Sequence, residues 1–223
     1  MARRPVYYID KNDNVQQRLI DFEWYPGFSI TQKRKSIHSL HESISKTFNV
    51  SKKIILEIST KSDNPIGREL SAFNLRVPYN NKTYRVENCF QSSKVFQHGG
   101  PYRDLLEVDP LHIKKALKDR PTGNLVGFNY FDENWPLEPK TLFYDWLYLQ
   151  GIYYNELLRE HIKKYVFFTD IEFNPKKSLN CQAKSAALYV SLHRKKILDI
   201  SLKNKECYKE TVANSFEFNN SLF

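Results

Sequence analysis

The stretch LSAFNLRVPYNNKTYRVENCFQSSKVF, residues 70–96, carries the pattern that decides the fold. Its first half predicts a β-hairpin, because strand-forming residues flank Asn80 and Asn81, which tolerate the positive φ of a tight turn. Its second half predicts a helix, because apolar and small residues recur there with helical spacing. The residues of this stripe are Val86, Cys89, Phe90, Ser93 and Phe96. A hairpin that runs directly into a helix is therefore expected at the centre of the fold.

A stripe of polar residues runs beside the apolar one, at Glu87, Gln91 and Lys94 of the predicted helix. If this stripe faces solvent, it is an ordinary helix surface on which a glutamate and a lysine pair across two turns. If it faces a cleft, it brings together one carboxylate, one amide and one ammonium group. The sequence leaves both alternatives open. Gly99-Gly100-Pro101 is expected to end the helix.

The flanking segments predict the α+β class: a mainly helical single domain around a small, partly antiparallel sheet. Helical spacing of apolar residues predicts helices over residues 31–48, 111–120, 141–165 and 181–196. Pro121 is expected to end the second of these helices. Runs of β-branched and aromatic residues predict strands within residues 52–60 and 166–175. The first thirty residues read as an extended lead-in, and those after Leu198 as a polar extension.

The chain of 223 residues carries a net charge of +9, which indicates either a polyanionic partner or a charge that serves solubility. The basic residues fall in short, scattered clusters: Lys33-Arg34-Lys35, Lys52-Lys53, Lys114-Lys115, Lys163-Lys164, Lys176-Lys177 and Arg194-Lys195-Lys196. Scattered clusters fit a phosphate-lined face better than a basic tail.

Cysteine usage and hydropathy indicate the compartment. Cys89, Cys181 and Cys207 are odd in number and show no Cys-x-x-Cys spacing, so neither a disulfide scaffold nor a cysteine-based zinc site is expected. No apolar run of secretory or membrane-spanning length is present in the sequence. We therefore expect a cytoplasmic protein without membrane contact.

Common catalytic and metal-binding motifs are missing from the sequence. It contains neither a Walker-type phosphate loop nor a dinucleotide-binding glycine motif, and no recognisable Ser-His-Asp triad. His38 and His41 lie one helical turn apart, but no further ligand stands at a suitable spacing. We expect the two histidines to form a surface pair, and we expect no metal or cofactor.

Several polar residues stand among apolar ones: Glu87, Asp145, Asp170 and Asn180. Taken singly, each is more often a capping or hydrogen-bonded core residue than a catalytic one. Together they are more numerous than chance predicts, and they are candidates for a functional site.

The opening stretch resembles a known signature. Ser71-Ala72-Phe73, the hairpin, and then the run VENCFQ at residues 86–91 followed by Lys94 are similar to the pattern of the NADAR domain, also called YbiA-like. Trp135 precedes a long predicted helix and Asp170 follows a predicted strand, as the corresponding residues of that family do. The resemblance implies the NADAR fold.

The resemblance is greatest to one branch of that family, the NADAR antitoxins encoded beside DarT-type toxins that ADP-ribosylate DNA. Segments such as FEWYPGFS, LEISTKS and WPLEPKTLFYDWLY carry it, and the resemblance as a whole extends over residues 22–192. Near the last predicted helix, Asn180 and Ala186 resemble the family's closing motif. Ala72 departs from the usual asparagine, with Asn74 two positions on, and Asn88 departs from the usual histidine.

This resemblance implies hydrolysis of an N-glycosidic bond, namely the removal of ADP-ribose from guanine bases of DNA. Free ADP-ribose would be the product, and a DarT-type toxin the genetic partner. Residues 53–198 would then be the catalytic domain, residues 1–52 an N-terminal extension and helix packed on it, and residues 199–223 a C-terminal extension.

The resemblance also implies roles for individual residues. Glu87 and Asp170 are the expected catalytic carboxylates, since cleavage through an oxocarbenium-like sugar needs a carboxylate near the anomeric carbon and a proton donor at the leaving nitrogen. Their acid and base roles stay open. Lys94 is expected to bind pyrophosphate, to stabilise Glu87, or to capture the opened sugar as a Schiff base. The residues expected to bind substrate are Ser71, Phe73, Asn74, Gln91, Gly99, Gly100, Trp135, Asp145 and Asn180.

Two other functions are open on the sequence alone. The same chemistry could act on a small phosphorylated N-ribosyl metabolite. Alternatively, the protein could neutralise a toxin or bind nucleic acid without catalysis. The basic charge favours DNA slightly over a small metabolite.

Overall fold

The computed structural model of the chain describes residues 1–118, 120, 123–176 and 178–220, with the backbone alone for Lys114 and for residues 214–220. Pro121, the predicted helix end, and Lys177 of the Lys176-Lys177 pair lie outside the described residues. The α+β class is confirmed, because helices predominate around small, mostly antiparallel sheets.

The helices are named in chain order. They are α1 Ile30–Phe48, α2 Pro65–Glu69, α3 Val86–Ser92, α4 Ile113–Lys118, α5 Leu142–Tyr153, α6 Glu156–Ile162, α7 Gln182–Arg194, α8 Leu198–Ser201 and α9 Lys205–Asn220. Within the described part of the chain, no helix combines the length and apolar character that crossing a membrane requires.

The strands form three small sheets. They are β1 Ala2–Ile9, β2 Val15–Phe22, β3 Ile55–Glu57, β4 Arg76–Tyr79, β5 Lys82–Arg85, β6 Lys94–Phe96, β7 Leu125–Tyr130, β8 Glu133–Trp135 and β9 Phe167–Thr169. The sheet orders are β2-β1-β9-β3, β4-β5 and β6-β7-β8. The expected lead-in is thus the hairpin β1-β2, which extends the first sheet, and the third sheet was not predicted.

The first sheet contains the parallel pair that positions the candidate site. Strands β3 and β9 run parallel, and Glu57 lies opposite Thr169 at their carboxyl ends. The segments that follow these strands therefore leave the sheet at the same edge. One of these segments begins with Asp170, and the other contains Ser59.

The hairpin and the start of α3 agree with the prediction. Asn80 and Asn81 have φ values of 46° and 63° in the turn between β4 and β5. Strand β5 leads directly into α3, and the Glu87 amide donates to the Ala72 carbonyl oxygen at 3.0 Å. This bond fixes the start of α3 against the turn that contains Ser71 and Phe73.

The predicted end of this helix is wrong. Helix α3 stops at Ser92, and Lys94 and Phe96 belong to β6. The chain leaves the helix because β6 pairs with β7, with Lys94 opposite Phe128, so a partner distant in sequence overrides the helical spacing. Lys94 therefore does not continue the polar stripe of Glu87 and Gln91.

The long predicted helix is also interrupted. It divides into α5 and α6 at Asn155, whose side chain accepts a hydrogen bond from the Leu158 amide at 3.1 Å and so caps α6. The residues after Ile197 form α8 and α9, which pack on the body and bury Leu198, Leu202 and Tyr208. The predicted domain boundaries stay a prediction.

The main hydrophobic core surrounds α5 and α7, and a second core lies between α1 and the first sheet. Helix α5 is buried on most sides, from Leu142 to Ile152. Its amino-terminal half reaches the edge of the first sheet, where the carboxyl ends of β3 and β9 lie. The candidate site forms there.

Candidate active site

A cleft of about 480 Å³ lies where α3, the carboxyl ends of β3 and β9, and the start of α7 meet. The predicted residues that line it are Ser71, Phe73, Glu87, Gln91, Asp170 and Asn180. These residues come from three regions more than ten positions apart in sequence. The structure therefore brings together half of the predicted site and both predicted catalytic carboxylates.

Glu87 and Gln91 form one wall of the cleft from adjacent turns of α3. Gln91 Nε2 donates to Glu87 Oε1 at 3.0 Å, and both side chains are buried. Glu87 and Gln91 of the predicted polar stripe thus face the cleft, whereas Lys94 does not line it. Gln91 Oε1 and the nearby Ser71 Oγ are buried and have no hydrogen-bond partner among the described residues. Two polar atoms at the cleft are therefore available to a bound molecule.

Asp170 lies on the opposite wall, directly after β9. Its Oδ1 accepts hydrogen bonds from the amides of Glu172 at 3.1 Å and Phe173 at 3.0 Å, and its Oδ2 accepts one from Gln182 Nε2 at 3.0 Å. Burial, and then the charge of Glu57, raise the pKa of Asp170 to about 8 against these three hydrogen bonds. The carboxyl is therefore largely protonated near neutral pH and can give up a proton.

Glu57 lies behind Asp170 and was not predicted as a site residue. Its carboxylate accepts hydrogen bonds from Thr169 Oγ1 at 2.6 Å and from the Ile171 amide at 2.9 Å. Burial raises the pKa of Glu57 as well. Glu57 ends a short strand of otherwise apolar residues, and nothing in its local sequence indicates that it adjoins a second carboxylate.

His41 extends this network away from the cleft. Its Nε2 lies 3.0 Å from Thr169 Oγ1, and burial lowers the pKa of His41 to about 4. Because Thr169 gives its one hydroxyl proton to Glu57, its oxygen is left to accept from the His41 ring, which is neutral at pH 7. The expected surface pair of histidines is therefore wrong for His41, whereas His38 is exposed and contacts Asp63 at 2.6 Å.

Gln182 links the two walls of the cleft, and the sequence analysis missed it. Its Oε1 accepts a hydrogen bond from the Ala72 amide at 2.6 Å, while its Nε2 donates to Asp170. Its position at the first residue of α7, two residues after Asn180, is the sequence feature by which it could have been identified. One amide side chain thus fixes both the turn containing Ser71 and the carboxyl of Asp170.

Tyr144 is a second lining residue that the sequence analysis missed. It lies on α5 next to Asp145 and is buried at the base of the cleft. Burial, and then the negative charge of Glu87, raise the pKa of Tyr144 well above its usual range. The hydroxyl therefore stays protonated throughout the physiological pH range.

Other predicted residues lie outside the cleft lining, in structural positions. Trp135 is 2% exposed in the main core, and its Nε1 donates to Glu133 at 3.1 Å. Asp145 accepts hydrogen bonds from Thr141 and Ser185, both at 2.6 Å, and so joins α5 to α7.

The predicted binding residues Asn74, Gly99 and Gly100 occupy turns outside the cleft lining. Asn74 Nδ2 donates to the Arg68 carbonyl oxygen at 2.9 Å. The Gly99 carbonyl oxygen accepts from the Phe96 amide at 2.8 Å. A Cβ on Gly100 would lie 2.2 Å from the Lys94 carbonyl oxygen, and its φ is +89°, so this position requires glycine.

Lys94 lies beside the cleft rather than among its lining residues. Its Nζ is 5.2 Å from the centroid of the Phe90 ring, and Phe90 lines the cleft. This places the ammonium next to the wall formed by α3. Over the described residues, no three His, Cys, Asp or Glu side chains come together in a metal-binding cluster.

The fold and the cleft define an α+β protein in which two buried carboxylates from distant segments face a single polar cleft. The family model of the DarT1-associated NADAR antitoxin matches residues 2–221, nearly the whole chain. The chain belongs to this family, and the resemblance found in the sequence is confirmed. No curated protein is similar enough to the chain to count as a match.

Proposed function

We propose that the protein is an N-glycosidase that removes ADP-ribose from guanine bases of DNA and thereby acts as the antitoxin to a DarT-type toxin. The observation that carries this proposal is the pairing of Glu87 and Asp170 across one cleft. Hydrolysis of an N-glycosidic bond uses two such groups. One stabilises the positive charge on the sugar or activates the attacking water, and the other donates a proton to the leaving nitrogen. Membership of the DarT1-associated antitoxin family supports the biological role.

Asp170 is the proposed general acid. A carboxyl whose pKa is about 8 holds its proton at neutral pH and can pass it to the leaving guanine nitrogen as the bond to the anomeric carbon breaks. Glu87 is the proposed carboxylate that stabilises the positive charge on the sugar and accepts a proton from the attacking water. The water oxygen bonds to the anomeric carbon, and free ADP-ribose and unmodified guanine leave.

The remaining polar groups of the cleft suit a ribose. Gln91 Oε1 can accept a hydrogen bond from a ribose hydroxyl, and Ser71 Oγ can donate or accept one. Phe73 and Phe90 also line the cleft and offer apolar surface to a sugar or base. Lys61 in the lining and Lys94 beside it are the proposed contacts to the pyrophosphate.

DNA is the proposed carrier of the modified base. An atom of guanine inside a stacked duplex cannot enter a cleft of about 480 Å³, so a flipped or single-stranded base is required. The net charge of +9 supports contacts with the phosphate backbone, which give affinity without reading sequence.

A cellular assay separates catalysis from binding alone. Cells that express a DarT1-type toxin are supplied with wild-type protein or with Glu87→Gln, and growth is measured. The proposal predicts that Glu87→Gln loses protection while its melting temperature stays close to the wild-type value. Glu160→Gln, which changes an exposed glutamate paired with Lys163, is the matched control and is expected to protect fully. Full protection by Glu87→Gln would instead establish an antitoxin that acts without catalysis.

A further inference from the structure

A second cavity, of about 300 Å³, lies apart from the cleft, and no described residue lines both. Tyr144 of α5 lines the cleft, whereas Trp146 of the same helix lines the second cavity. Two residues along a helix correspond to a rotation of about 200°. The second cavity therefore lies on the opposite side of α5 and is a separate candidate site.

Aromatic rings form the walls of this cavity. The lining includes Tyr79, Tyr130, Phe131, Trp146 and Tyr154. The Tyr79 and Phe131 rings stack with centroids 3.5 Å apart and planes 7° apart. Such walls suit a flat ligand, because planar rings gain most from stacking on other planar rings.

The turn that carries Phe131 has an uncommon backbone conformation. Phe131 and Asp132 have φ values of 44° and 72°, which bulky residues rarely adopt. Asn129 Oδ1 holds the turn by accepting hydrogen bonds from Arg103 Nη2 at 2.6 Å and from the Asp132 amide at 3.3 Å. Specific polar contacts therefore keep the Phe131 ring against Tyr79.

One wall residue of the cavity carries a hydrogen-bond donor without a partner. Trp146 Nε1 is buried and has no hydrogen-bond partner among the residues that the structure describes. The adjacent Trp135 differs, because its Nε1 donates to Glu133 at 3.1 Å. Buried donors without an acceptor are few in folded proteins, so Trp146 Nε1 is a candidate contact for a ligand that carries an acceptor.

The lining also includes polar and charged residues, among them Lys203 and Glu133, whose carboxylate accepts from Trp135 Nε1. Lys203 and Asn204 are exposed there, and Tyr154 is 64% exposed. Aromatic surfaces for bases beside a lysine for phosphate are the combination used by proteins that bind single-stranded nucleic acids. A nucleobase is both flat and rich in ring nitrogen and carbonyl acceptors, so it matches the walls and the Trp146 donor.

We propose that this cavity binds one unmodified nucleobase of a single-stranded nucleic acid. Trp146 Nε1 donates to an acceptor atom of the base, the exposed Tyr154 ring packs on it, and Lys203 contacts the adjacent phosphate. The inference rests on the proposed function in one respect. The bound strand is taken to be the DNA that carries the modified guanine into the cleft.

Fluorescence anisotropy of a labelled, unmodified single-stranded oligonucleotide at fixed salt concentration tests this proposal. Trp146→Phe keeps an aromatic ring but removes the donor, and Tyr154→Ala removes an exposed ring. Each variant is expected to bind about tenfold more weakly than wild type, the order of magnitude of one lost base contact. Trp24→Phe changes a tryptophan that lines neither cavity and is expected to bind within about twofold of wild type.

The proposal is overturned if wild type does not bind the oligonucleotide, or if Tyr154→Ala binds it as tightly as wild type does. Wild-type affinity in a Trp146→Phe protein with an unchanged melting curve overturns it as well. Hydrolysis of ADP-ribosyl-guanosine, a substrate without a nucleic-acid strand, is measured in parallel. If wild type does not hydrolyse this substrate, the result counts against the proposed function only. The binding of the oligonucleotide is then judged separately.

Discussion

Glu57 binds the two chain neighbours of Asp170, through Thr169 Oγ1 at 2.6 Å and the Ile171 amide at 2.9 Å. Glu57 thereby holds Asp170 in place, and its negative charge also acts on the Asp170 carboxyl. Two carboxylates in a buried region cannot both ionise readily, so the charge of one raises the pKa of the other. Glu57 thus helps to fix the position of Asp170, and its charge adds to burial, the larger cause, in raising the pKa of Asp170.

Glu57→Gln is expected to lower the pKa of Asp170. Glutamine keeps an oxygen for the Ile171 amide but removes the negative charge. Because a general acid must be protonated, activity falls as the pH rises through its pKa, and a lower pKa moves this alkaline limb to lower pH, by about 1 unit or more. The pH dependence of ADP-ribose release measures the shift, with Glu42→Gln at the surface as the control. An unchanged alkaline limb would show that Glu57 does not set the protonation of Asp170.

Replacing Gln182 is expected to shift the alkaline limb of the pH dependence to higher pH, opposite to the effect of Glu57→Gln. Its hydrogen bond favours the ionised form of Asp170, so Gln182→Met raises the pKa of Asp170 further. The Ala72 amide also loses its acceptor, which costs about 1–3 kcal/mol of stability. We expect a lower rate, an alkaline limb at higher pH and a reduced melting temperature. Gln17→Met, on the exposed strand β2, should change none of these.

Asp170→Asn is expected to change how stability depends on pH. The pKa of Asp170 is about 8 in the folded protein, against 3.8 for an ordinary aspartate. The stability that its proton contributes is therefore complete below about pH 3.8 and is lost as the pH rises through about 8. The melting temperature of Asp170→Asn relative to wild type should rise by several degrees between pH 5 and pH 8.5. A constant difference between the two proteins would exclude a raised pKa.

His41→Gln is expected to act in the acidic range. The pKa of His41 is lowered from 6.5 to about 4, so the unfolded chain takes up this proton first as the pH falls. The stability contributed by the neutral ring is present above about pH 6.5 and is lost as the pH falls towards 4. Glutamine keeps a donor near Thr169 and does not titrate. The melting temperature of the His41→Gln protein relative to wild type should therefore rise by a few degrees on acidification. Thermal melts between pH 7 and pH 4.5 measure this difference in melting temperature. A difference that does not change with pH would contradict the prediction.

The sequence predicts well where local interactions decide the structure. The turn at Asn80 and Asn81 and the helix start at Val86 depend on neighbouring residues, and both occur as expected. The helix end at Ser92 depends on the pairing of β6 with β7, a strand thirty residues further along the chain. Spacing within one segment carries no information about such a partner.

The candidate site shows the same division. Glu87 and Asp170 were identifiable as polar residues among apolar ones, and Gln91 by its spacing of one helical turn from Glu87. Glu57 and Gln182 were not, since their importance arises from contacts across more than one hundred positions, with Ile171 and Ala72 respectively. Trp135 was expected to bind substrate, but its packing against Phe143 and Trp146 buries it in the core.

The most direct test of the account is the release of free ADP-ribose from an oligonucleotide that carries ADP-ribosyl-guanine, with ADP-ribosyl-thymine DNA measured in parallel. Wild type is expected to release ADP-ribose from the guanine substrate only. Glu87→Gln, with a melting curve like that of wild type, is expected to release none. Absence of release by wild type, or release by Glu87→Gln at the wild-type rate, would contradict the assignment of this cleft as the active site of an N-glycosidase.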